Sequence, residues 1–235
     1  MTSLIHPQLP LGFEPGELFT FDSLITGRNT VVAGLARQTA SGQGEKQLYI
    51  WGEPGLGKSH LLQASCNLAA RCQRTTCYLT PAEIIGQSAA MLDGLEQIEL
   101  ICLDDIDGWL QGDQWETALF DLINRVRENQ SRLILSSTLP PDEMAVKLPD
   151  LRSRLAWGPV FQLQDLTDKE KYQALSYRAG QNGLELPENV ADYMMQRYPR
   201  DMFGLFERLA VLDKASMAMK RKLTIPLIKS VFSQE

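Results

Sequence analysis

One stretch decides the fold of this chain, Gly52-Glu53-Pro54-Gly55-Leu56-Gly57-Lys58-Ser59. It follows a strand-like apolar run, 47–51, and opens a helix-like segment at His60, which is the setting that a P-loop requires. Its glycines let the backbone turn tightly and aim N–H groups inward, where the N-terminus of the following helix also attracts phosphate. Lys58 is placed to reach the outer phosphates, and the Ser59 hydroxyl to bind Mg²⁺. The stretch therefore predicts a site for a nucleoside di- or triphosphate, rather than a glycine-rich turn, lined by Gly52, Pro54, Gly55, Leu56, Gly57, Lys58, Ser59 and His60.

The composition is that of an ordinary globular protein. The 235 residues are 44% hydrophobic and 22% charged, which suits one sizeable domain and a smaller one with packed cores. No apolar run approaches the roughly 18 residues that span a bilayer, so we expect no membrane partner and a cytoplasmic location. The net charge of −6 excludes a long-range attraction of the whole molecule to DNA. Any association with DNA or the nucleoid is therefore expected to pass through a protein partner.

Short apolar runs alternate with longer amphipathic segments up to residue 164. The runs at 47–51, 76–79, 100–103, 133–136 and 160–163 read as strands. This alternation predicts an α/β fold with a five-stranded parallel sheet covered by helices. After Gln164 the patterns are helical, at 168–182, 187–198, 200–220 and 226–232. We therefore expect an extended tail at 1–19, a nucleotide-binding α/β domain at 20–164 and a small all-helical lid domain at 165–235.

The apolar run 100–103 ends in two carboxylates, Asp104 and Asp105. In P-loop proteins a strand of this kind lies beside the P-loop strand, so its first carboxylate meets the magnesium ion, directly or through water. Asp104 is predicted to hold the metal. Asp105 is predicted to orient or deprotonate an attacking water. The alternative is that both residues cap a helix or form a turn after a buried strand.

Hydroxyl side chains end another predicted strand, at Ser137 and Thr138. If this strand neighbours the one that ends in Asp104, its carboxyl end should lie near the γ-phosphate, where either hydroxyl would polarise water. Hydroxyl residues also end strands for reasons of turn chemistry, and that alternative stays open.

Two segments present arginines in apolar surroundings, Asp150-Leu151-Arg152-Ser153-Arg154-Leu155 and Pro199-Arg200-Asp201-Met202. The planar guanidinium forms bidentate, charge-assisted bonds to phosphate and never loses its charge. The alternative for each arginine is a surface ion pair.

Three motifs together resemble the AAA+ ATPase core of the bacterial initiator DnaA: Phe19-Thr20-Phe21-Asp22-Ser23-Leu24, the P-loop with its helix 58–64, and Leu103-Asp104-Asp105-Ile106. The resemblance runs from Phe19 to the C-terminus. DnaA carries a helix-turn-helix DNA-binding domain after its lid, and the 235 residues leave no room for one. The chain is therefore expected to resemble the short DnaA-related AAA+ regulators of replication initiation.

The resemblance implies roles for further residues. Arg154 matches the arginine finger that acts in trans on a neighbour's nucleotide, and Arg200 matches the lid arginine that senses the chain's own nucleotide. The tail segment containing Gln8, Leu9 and Leu11 resembles the family's sliding-clamp-binding peptide. Thr138 stands where DnaA has an aspartate. This departure predicts at most weak intrinsic ATPase activity.

These expectations combine into one function. The chain is predicted to bind ADP or ATP with Mg²⁺, to dock on the sliding clamp of DNA polymerase, and to offer Arg154 to the ATP held by DnaA. Two other functions stay open, a stand-alone DnaA-type ATPase or helicase-loading factor, and a nucleotide-gated adaptor without a catalytic role. Association into a homo-oligomer also stays open.

Overall fold

The computed structural model describes residues 19–110, 112–219 and 221–232. The predicted clamp-binding residues Gln8, Leu9 and Leu11 lie outside the described residues. Within them the strands are β1 Gln47–Trp51, β2 Thr76–Leu79, β3 Leu100–Leu103, β4 Arg132–Ser137 and β5 Val160–Gln162. The helices are α1 Thr30–Ala40, α2 Lys58–Arg71, α3 Pro81–Ile84, α4 Asp113–Glu128, α5 Pro149–Leu155, α6 Asp168–Gln181, α7 Glu188–Arg197, α8 Met202–Met219 and α9 Ile225–Val231. Short 3-10 helices cover Gly27–Asn29, Ala89–Leu92, Leu95–Gln97 and Ile106–Gly108.

The described strands form a five-stranded parallel sheet in the order β2-β3-β4-β1-β5. The P-loop strand β1 lies between β4 and β5, with Ile50 opposite Ser136 on one side and Phe161 on the other. The predicted parallel sheet is confirmed. Compared with the prediction, β4 extends one residue further at each end and β5 ends one residue earlier. Because parallel strands share one direction, their carboxyl ends meet at one edge of the sheet, called here the carboxyl edge; the opposite edge is the amino edge.

Helices cover both faces of the sheet. Successive residues of a strand point to opposite faces, and the buried clusters follow this alternation. Leu48 and Ile50 pack with α1 and α2 on one face. Tyr49 and Leu135 pack with α4 and α5 on the other face. Burial on both sides explains why these strands read as continuous apolar runs.

Beyond β5 the regular elements of the described residues are all helices, and α6 to α9 pack around a third apolar cluster. Its fully buried members are Leu175, Ala179, Ala191, Met194, Leu205, Leu212 and Ile228. α6 opens with a capping box, in which the Glu170 N–H donates to the Thr167 hydroxyl and the Thr167 N–H donates to the Glu170 carboxylate. The helical lid predicted from the sequence is confirmed.

One helix of the lid begins later than predicted. The sequence suggested a start at residue 200, whereas α8 begins at Met202. The carboxylate of Asp201 accepts a hydrogen bond from the Gly204 N–H at 2.8 Å, which satisfies an N–H group that the first turn leaves without a partner. An aspartate in a cap position therefore ends the preceding loop and leaves Arg200 outside the helix.

Candidate nucleotide-binding site

A cleft of about 550 Å³ lies at the carboxyl edge of the sheet. Its size is in the range of small-molecule sites, and its walls come from four parts of the chain. The P-loop and α2 contribute Pro54, Gly55, Leu56, Gly57, Lys58, Ser59, His60 and Gln63, and the ends of β2 and β3 contribute Tyr78, Thr80, Pro81, Asp104 and Asp105. The segment before α1 contributes Phe19, Ser23, Leu24 and Ile25, and the lid contributes Leu166, Ala174, Asp201, Met202, Phe203 and Phe206. Of the predicted nucleotide-binding residues in the P-loop, Gly52 alone is not part of this lining.

Glycine is required in the P-loop for two different reasons. Gly55 and Gly57 have φ angles of 83° and 93°, which side chains with a Cβ rarely adopt. A Cβ on Gly55 would also lie 2.9 Å from the Cβ of Asp201 in the lid. The P-loop and the lid therefore approach each other closely at this point of the cleft wall.

Lys58 is buried at the first position of α2, with 5% of its surface exposed. Its ammonium group donates to the carbonyl oxygens of Gly52 at 2.8 Å and Glu53 at 3.3 Å. The same nitrogen lies 3.5 Å from a carboxylate oxygen of Asp105. The P-loop cation and the carboxylate after β3 are therefore neighbours, as the sequence predicted for residues at one edge of the sheet.

Asp104 is held by hydroxyl groups from the two adjacent strands. Its side chain is 3% exposed, and its two oxygens accept hydrogen bonds from Tyr78, at 2.6 Å, and from Ser136. The Ser136 hydroxyl also accepts from the Asp105 N–H at 2.8 Å. The Tyr78 hydroxyl accepts from Gln63 on α2 at 3.3 Å. Burial and the nearby carboxylate raise the pKa of Tyr78, so its hydroxyl stays a donor to Asp104.

Asp105 occupies the left-handed region, with φ 44° and ψ 55°. One of its carboxylate oxygens is buried and has no hydrogen-bond partner, although the Lys58 ammonium lies 3.5 Å away. Burial and the charge of Asp104 raise the pKa of Asp105, while Lys58 opposes this shift. A buried oxygen of this kind is available to a water molecule or a cation in the cleft.

The donors in the cleft fit Mg²⁺ as it binds beside nucleotides. No group of three or more His, Cys, Asp or Glu side chains able to hold a metal ion occurs in the part of the chain that the structure describes. Mg²⁺ usually takes only one or two carboxylates and completes its shell with phosphates and water. The Ser59 hydroxyl, the Asp104 carboxylate and the phosphates of a bound nucleotide would form such a set.

The end of the cleft formed by the first described residues and the lid is mostly apolar, and its polar side chains are Ser23, His60 and Asp201. The His60 Nε2 lies 3.1 Å from the carbonyl oxygen of Thr20 and 3.2 Å from the Ser23 hydroxyl, and the ring packs edge-on against Phe19. A carbonyl only accepts, so Nε2 carries the proton. Burial lowers the pKa of His60, partly opposed by the Thr20 bond and assisted by Arg178. This mostly apolar compartment suits the base of a nucleotide. Sequence reasoning did not assign its lid residues to the site.

Thr138 does not line the cleft. Its hydroxyl donates to a carboxylate oxygen of Asp107, and its N–H donates to the other at 3.1 Å. The neighbouring Ser137 hydroxyl lies 3.4 Å from the sulfur of Met144 and accepts from the Leu139 N–H. The prediction placed these hydroxyls near the γ-phosphate. Instead, both hydroxyls contact neighbouring residues just after the end of β4. Asp107, which sequence reasoning missed, binds the Thr138 hydroxyl.

Arg200 also lies outside the lining of the cleft. Its Nε donates to the carbonyl oxygen of Met195 at 2.9 Å, and its Nη1 lies 3.4 Å from the Asp168 carboxylate. The side chain is 54% exposed. The next two residues, Asp201 and Met202, contact the cleft in its place. In this structure the Arg200 side chain contacts other residues of the lid and not the cleft. A sensor role for Arg200 therefore stays a prediction.

Arg154 lies at the amino edge, on the far side of the sheet from the P-loop. Buried Gln47, the first residue of β1, donates to the carbonyl oxygens of Arg154 at 2.8 Å and Leu155 at 3.0 Å. The P-loop follows Trp51, and the four-residue step along the strand covers about 13 Å. Arg154 is therefore separated from the cleft of its own chain by the length of β1.

A parallel sheet in the order β2-β3-β4-β1-β5, with a P-loop after β1, two aspartates after β3 and a helical lid, defines an AAA+ ATPase domain. Comparison with known families agrees. Residues 16–162, more than half of the chain, match the family described as bacterial DnaA ATPase domain. Residues 168–232 match the family described as Hda, lid domain. The chain therefore belongs to the bacterial DnaA ATPase-domain family and carries a lid of the Hda type.

Individual relatives support the same fold. An uncharacterized protein of Haemophilus influenzae is 39% identical over 230 residues, which cover 97% of this chain and 100% of that protein. Domain III of the Thermotoga maritima replication initiation protein DnaA superposes with a TM-score of 0.81 at 18% identity, over 93% of this chain and 97% of that one. AMPPCP-bound DnaA from Aquifex aeolicus gives a TM-score of 0.69 at 22% identity, over 89% of this chain and 69% of that one. No helix in the described residues is long and apolar enough to cross a membrane.

Proposed function

We propose that this chain binds ADP or ATP, with Mg²⁺, in the cleft at the carboxyl edge. The observation that carries the proposal is the meeting of the P-loop backbone, Lys58, Ser59 and the Asp104–Asp105 pair in one cleft that also has an apolar compartment. The related Aquifex aeolicus DnaA is bound to AMPPCP. The same family relationship supports a nucleotide in this chain.

The residues of the cleft have separate tasks in this proposal. The P-loop N–H groups and the N-terminus of α2 bind phosphate, and Lys58 leaves its carbonyl partners to contact the outer phosphates. Ser59 and Asp104 would hold Mg²⁺, which supplies neutralisation of phosphate charge when bound. Asp105, whose buried oxygen accepts no hydrogen bond, is placed to orient a water molecule once Lys58 turns to the phosphates. The base would lie beside His60 and Phe19.

We further propose that the chain inactivates the replication initiator DnaA by promoting hydrolysis of DnaA-bound ATP while docked on the sliding clamp. The location of Arg154 at the amino edge supports action on a nucleotide held by another subunit. An arginine finger accelerates hydrolysis by roughly 10³- to 10⁵-fold. The net charge of −6 supports contact with DNA through the clamp rather than directly.

The decisive experiment is single-turnover hydrolysis of ATP preloaded on DnaA, measured with and without this chain and with and without DNA-loaded clamp. We expect stimulation that requires both the chain and the loaded clamp. A chain lacking residues 1–14, which removes Gln8, Leu9 and Leu11, should bind nucleotide normally but lose the clamp-dependent part. Full clamp affinity in this truncated chain would refute the docking proposal.

The same assay separates the other two functions. Multiple turnover of ATP by the chain alone, without DnaA, would favour a stand-alone ATPase or helicase-loading factor. Clamp and DnaA binding without any change in the hydrolysis rate would favour a nucleotide-gated adaptor. Sedimentation of the nucleotide-bound chain, run in parallel, would detect a homo-oligomer.

A further inference from the structure

Two guanidinium groups stack on one indole ring at the amino edge. The Cζ of Arg154 lies 3.8 Å from the centroid of Trp157, and the Cζ of Arg127 lies 3.9 Å from the same centroid. Arg154 also lies 5.3 Å from the ring centroid of Phe120. The Trp157 side chain is 37% exposed, so this stack is part of the protein surface.

The stack is assembled by α4, by Arg154 at the end of α5, and by Trp157 in the turn that follows α5. Phe120, Asn124 and Arg127 are spaced by four and three residues on α4, so they share one face of that helix. Asn124 accepts a hydrogen bond from the Nε of Arg154 at 2.9 Å. This bond and the ring of Trp157 fix the guanidinium at its inner edge and on its face.

The outer edge of the Arg154 guanidinium is left open. Within residues 19–110, 112–219 and 221–232, neither Nη nitrogen makes a hydrogen bond, and no carboxylate lies within 4.0 Å of Arg154 or Arg127. A stack that served only to join α4 to α5 would be more stable with an acidic partner, because two cations near one ring repel each other. In a chain with a net charge of −6, such an unpaired pair of arginines fits an anion supplied from outside.

We infer that Trp157 is a positioning residue for Arg154, assisted by Asn124, and that the stack presents both Nη nitrogens to the phosphates of a nucleotide held by a neighbouring subunit. The inference rests on the proposed role of Arg154 in trans. Stacking on a ring restricts a long, flexible side chain before the partner arrives, and thereby reduces the entropy lost when the guanidinium meets phosphate. Arg127 adds a second positive charge beside the same ring.

The test compares Trp157→Phe, Trp157→Leu, Asn124→Ala and Arg154→Ala in the DnaA-ATP hydrolysis assay with DNA-loaded clamp. Phenylalanine keeps an aromatic face for the guanidinium, whereas leucine keeps apolar volume without one. Each variant is titrated to separate the maximal rate from the half-saturating concentration. Thermal unfolding and the affinity of each variant for its own nucleotide are measured alongside, with Tyr177→Ala, an exposed aromatic residue on α6, as control.

We expect Trp157→Leu to lower the maximal rate by about three- to thirtyfold and Trp157→Phe to retain most of it. Asn124→Ala should give a smaller loss of the same kind. Wild-type stimulation by both Trp157→Leu and Asn124→Ala, while Arg154→Ala abolishes it, would overturn the positioning role and leave the proposed function standing. If Arg154→Ala stimulated hydrolysis normally, the role of Arg154 in trans would itself be refuted. If Trp157→Leu failed to fold, Asn124→Ala and Trp157→Phe would decide, because a loss in the first with retention in the second supports the stack.

Discussion

The carboxyl edge and the amino edge of the sheet hold their cationic side chains in opposite ways. At the carboxyl edge, Lys58 is 5% exposed and contacts two carbonyl oxygens and a carboxylate of its own chain. At the amino edge, Arg154 stacks on a partly exposed indole and has no carboxylate within 4.0 Å among the described residues. One cation is enclosed by its own chain, and the other is held at the surface with its outer nitrogens open.

This difference indicates which kind of ligand or partner suits each edge. A cleft whose charged groups already neutralise one another suits a small ligand that enters and replaces those contacts. A surface arginine without an acidic partner suits contact with a second macromolecule, because the anion arrives with that partner. In the proposed function, one sheet thus separates the site for the chain's own nucleotide from the residue that would act on a neighbour's, by the length of β1.

The largest expected effect tests the amino edge. Arg154→Ala should reduce stimulation of DnaA-bound ATP hydrolysis by about 10³-fold or more, because the guanidinium neutralises charge that develops on the phosphoryl oxygens. Arg154→Lys should also be defective, since a lysine lacks the planar fork. Single-turnover hydrolysis with DNA-loaded clamp measures both. Arg197→Ala, which removes an exposed arginine of the lid, serves as control. An equal loss in that variant would show that the assay responds to the removal of any positive charge.

The second effect tests the carboxyl edge. Lys58→Ala should weaken nucleotide binding by about tenfold to a hundredfold, the usual loss for a hydrogen bond to a charged group. Titration calorimetry with ADP and ATP measures the change. Lys222→Ala, whose side chain is 90% exposed in the lid, should bind as the unmodified chain does. Unchanged affinity in Lys58→Ala would contradict the assignment of the P-loop to phosphate.

The two edges also differ in how far the sequence predicts them. The P-loop is contiguous, and its glycine and lysine spacing encodes the phosphate site directly, so seven of the eight predicted P-loop residues line the cleft. The strands were predicted within one residue at each end, because buried parallel strands are short apolar runs between turn residues. The order of the strands in the sheet leaves no such local pattern.

Contacts between distant segments were not predictable in this way. The hydroxyl of Tyr78 reaches Asp104 across 26 positions, and Asn124 meets Arg154 across 30. No period or motif in the sequence links these pairs, since they depend on strand order and on the packing of α4 against α5. Thr138 shows the converse, because its position at a strand end was predicted but its partner, Asp107, turns it away from the cleft lining.

A third, smaller effect tests whether the carboxylate of Asp104, at the carboxyl edge, is shielded from water. Tyr78→Phe keeps the ring but removes the donor to buried Asp104. We expect the free energy of unfolding to fall by about 1.5 kcal/mol, because a buried carboxylate oxygen loses its partner. Urea denaturation measures the change, with Tyr193→Phe, a half-buried tyrosine of the lid, as reference. Equal stability of the two variants would mean that water replaces the tyrosine freely and that this edge is open.

The smallest effect is a pH dependence that originates at His60. Burial lowers its pKa in the folded chain, whereas in the unfolded chain the value is about 6.5. Between these two values the unfolded chain binds more protons, so stability is fully present above about pH 6.5 and is lost as the pH falls towards the folded-state pKa. Asp105 has a raised pKa, so its protonation acts in the opposite direction at lower pH and offsets part of this loss.

His60→Gln should therefore flatten the profile, since glutamine retains an N–H donor for the Thr20 carbonyl oxygen but does not titrate. We expect the variant to lose less stability than the unmodified chain between pH 7.5 and 5.5, by at most about 1.4 kcal/mol per pH unit. Urea denaturation at several pH values measures both chains. The other histidine, His6, remains in each and cancels from the difference. Parallel profiles would show that protonation of the imidazole does not change the free energy of unfolding. Burial of His60 would then not lower its pKa, and the compartment around it would be accessible to water.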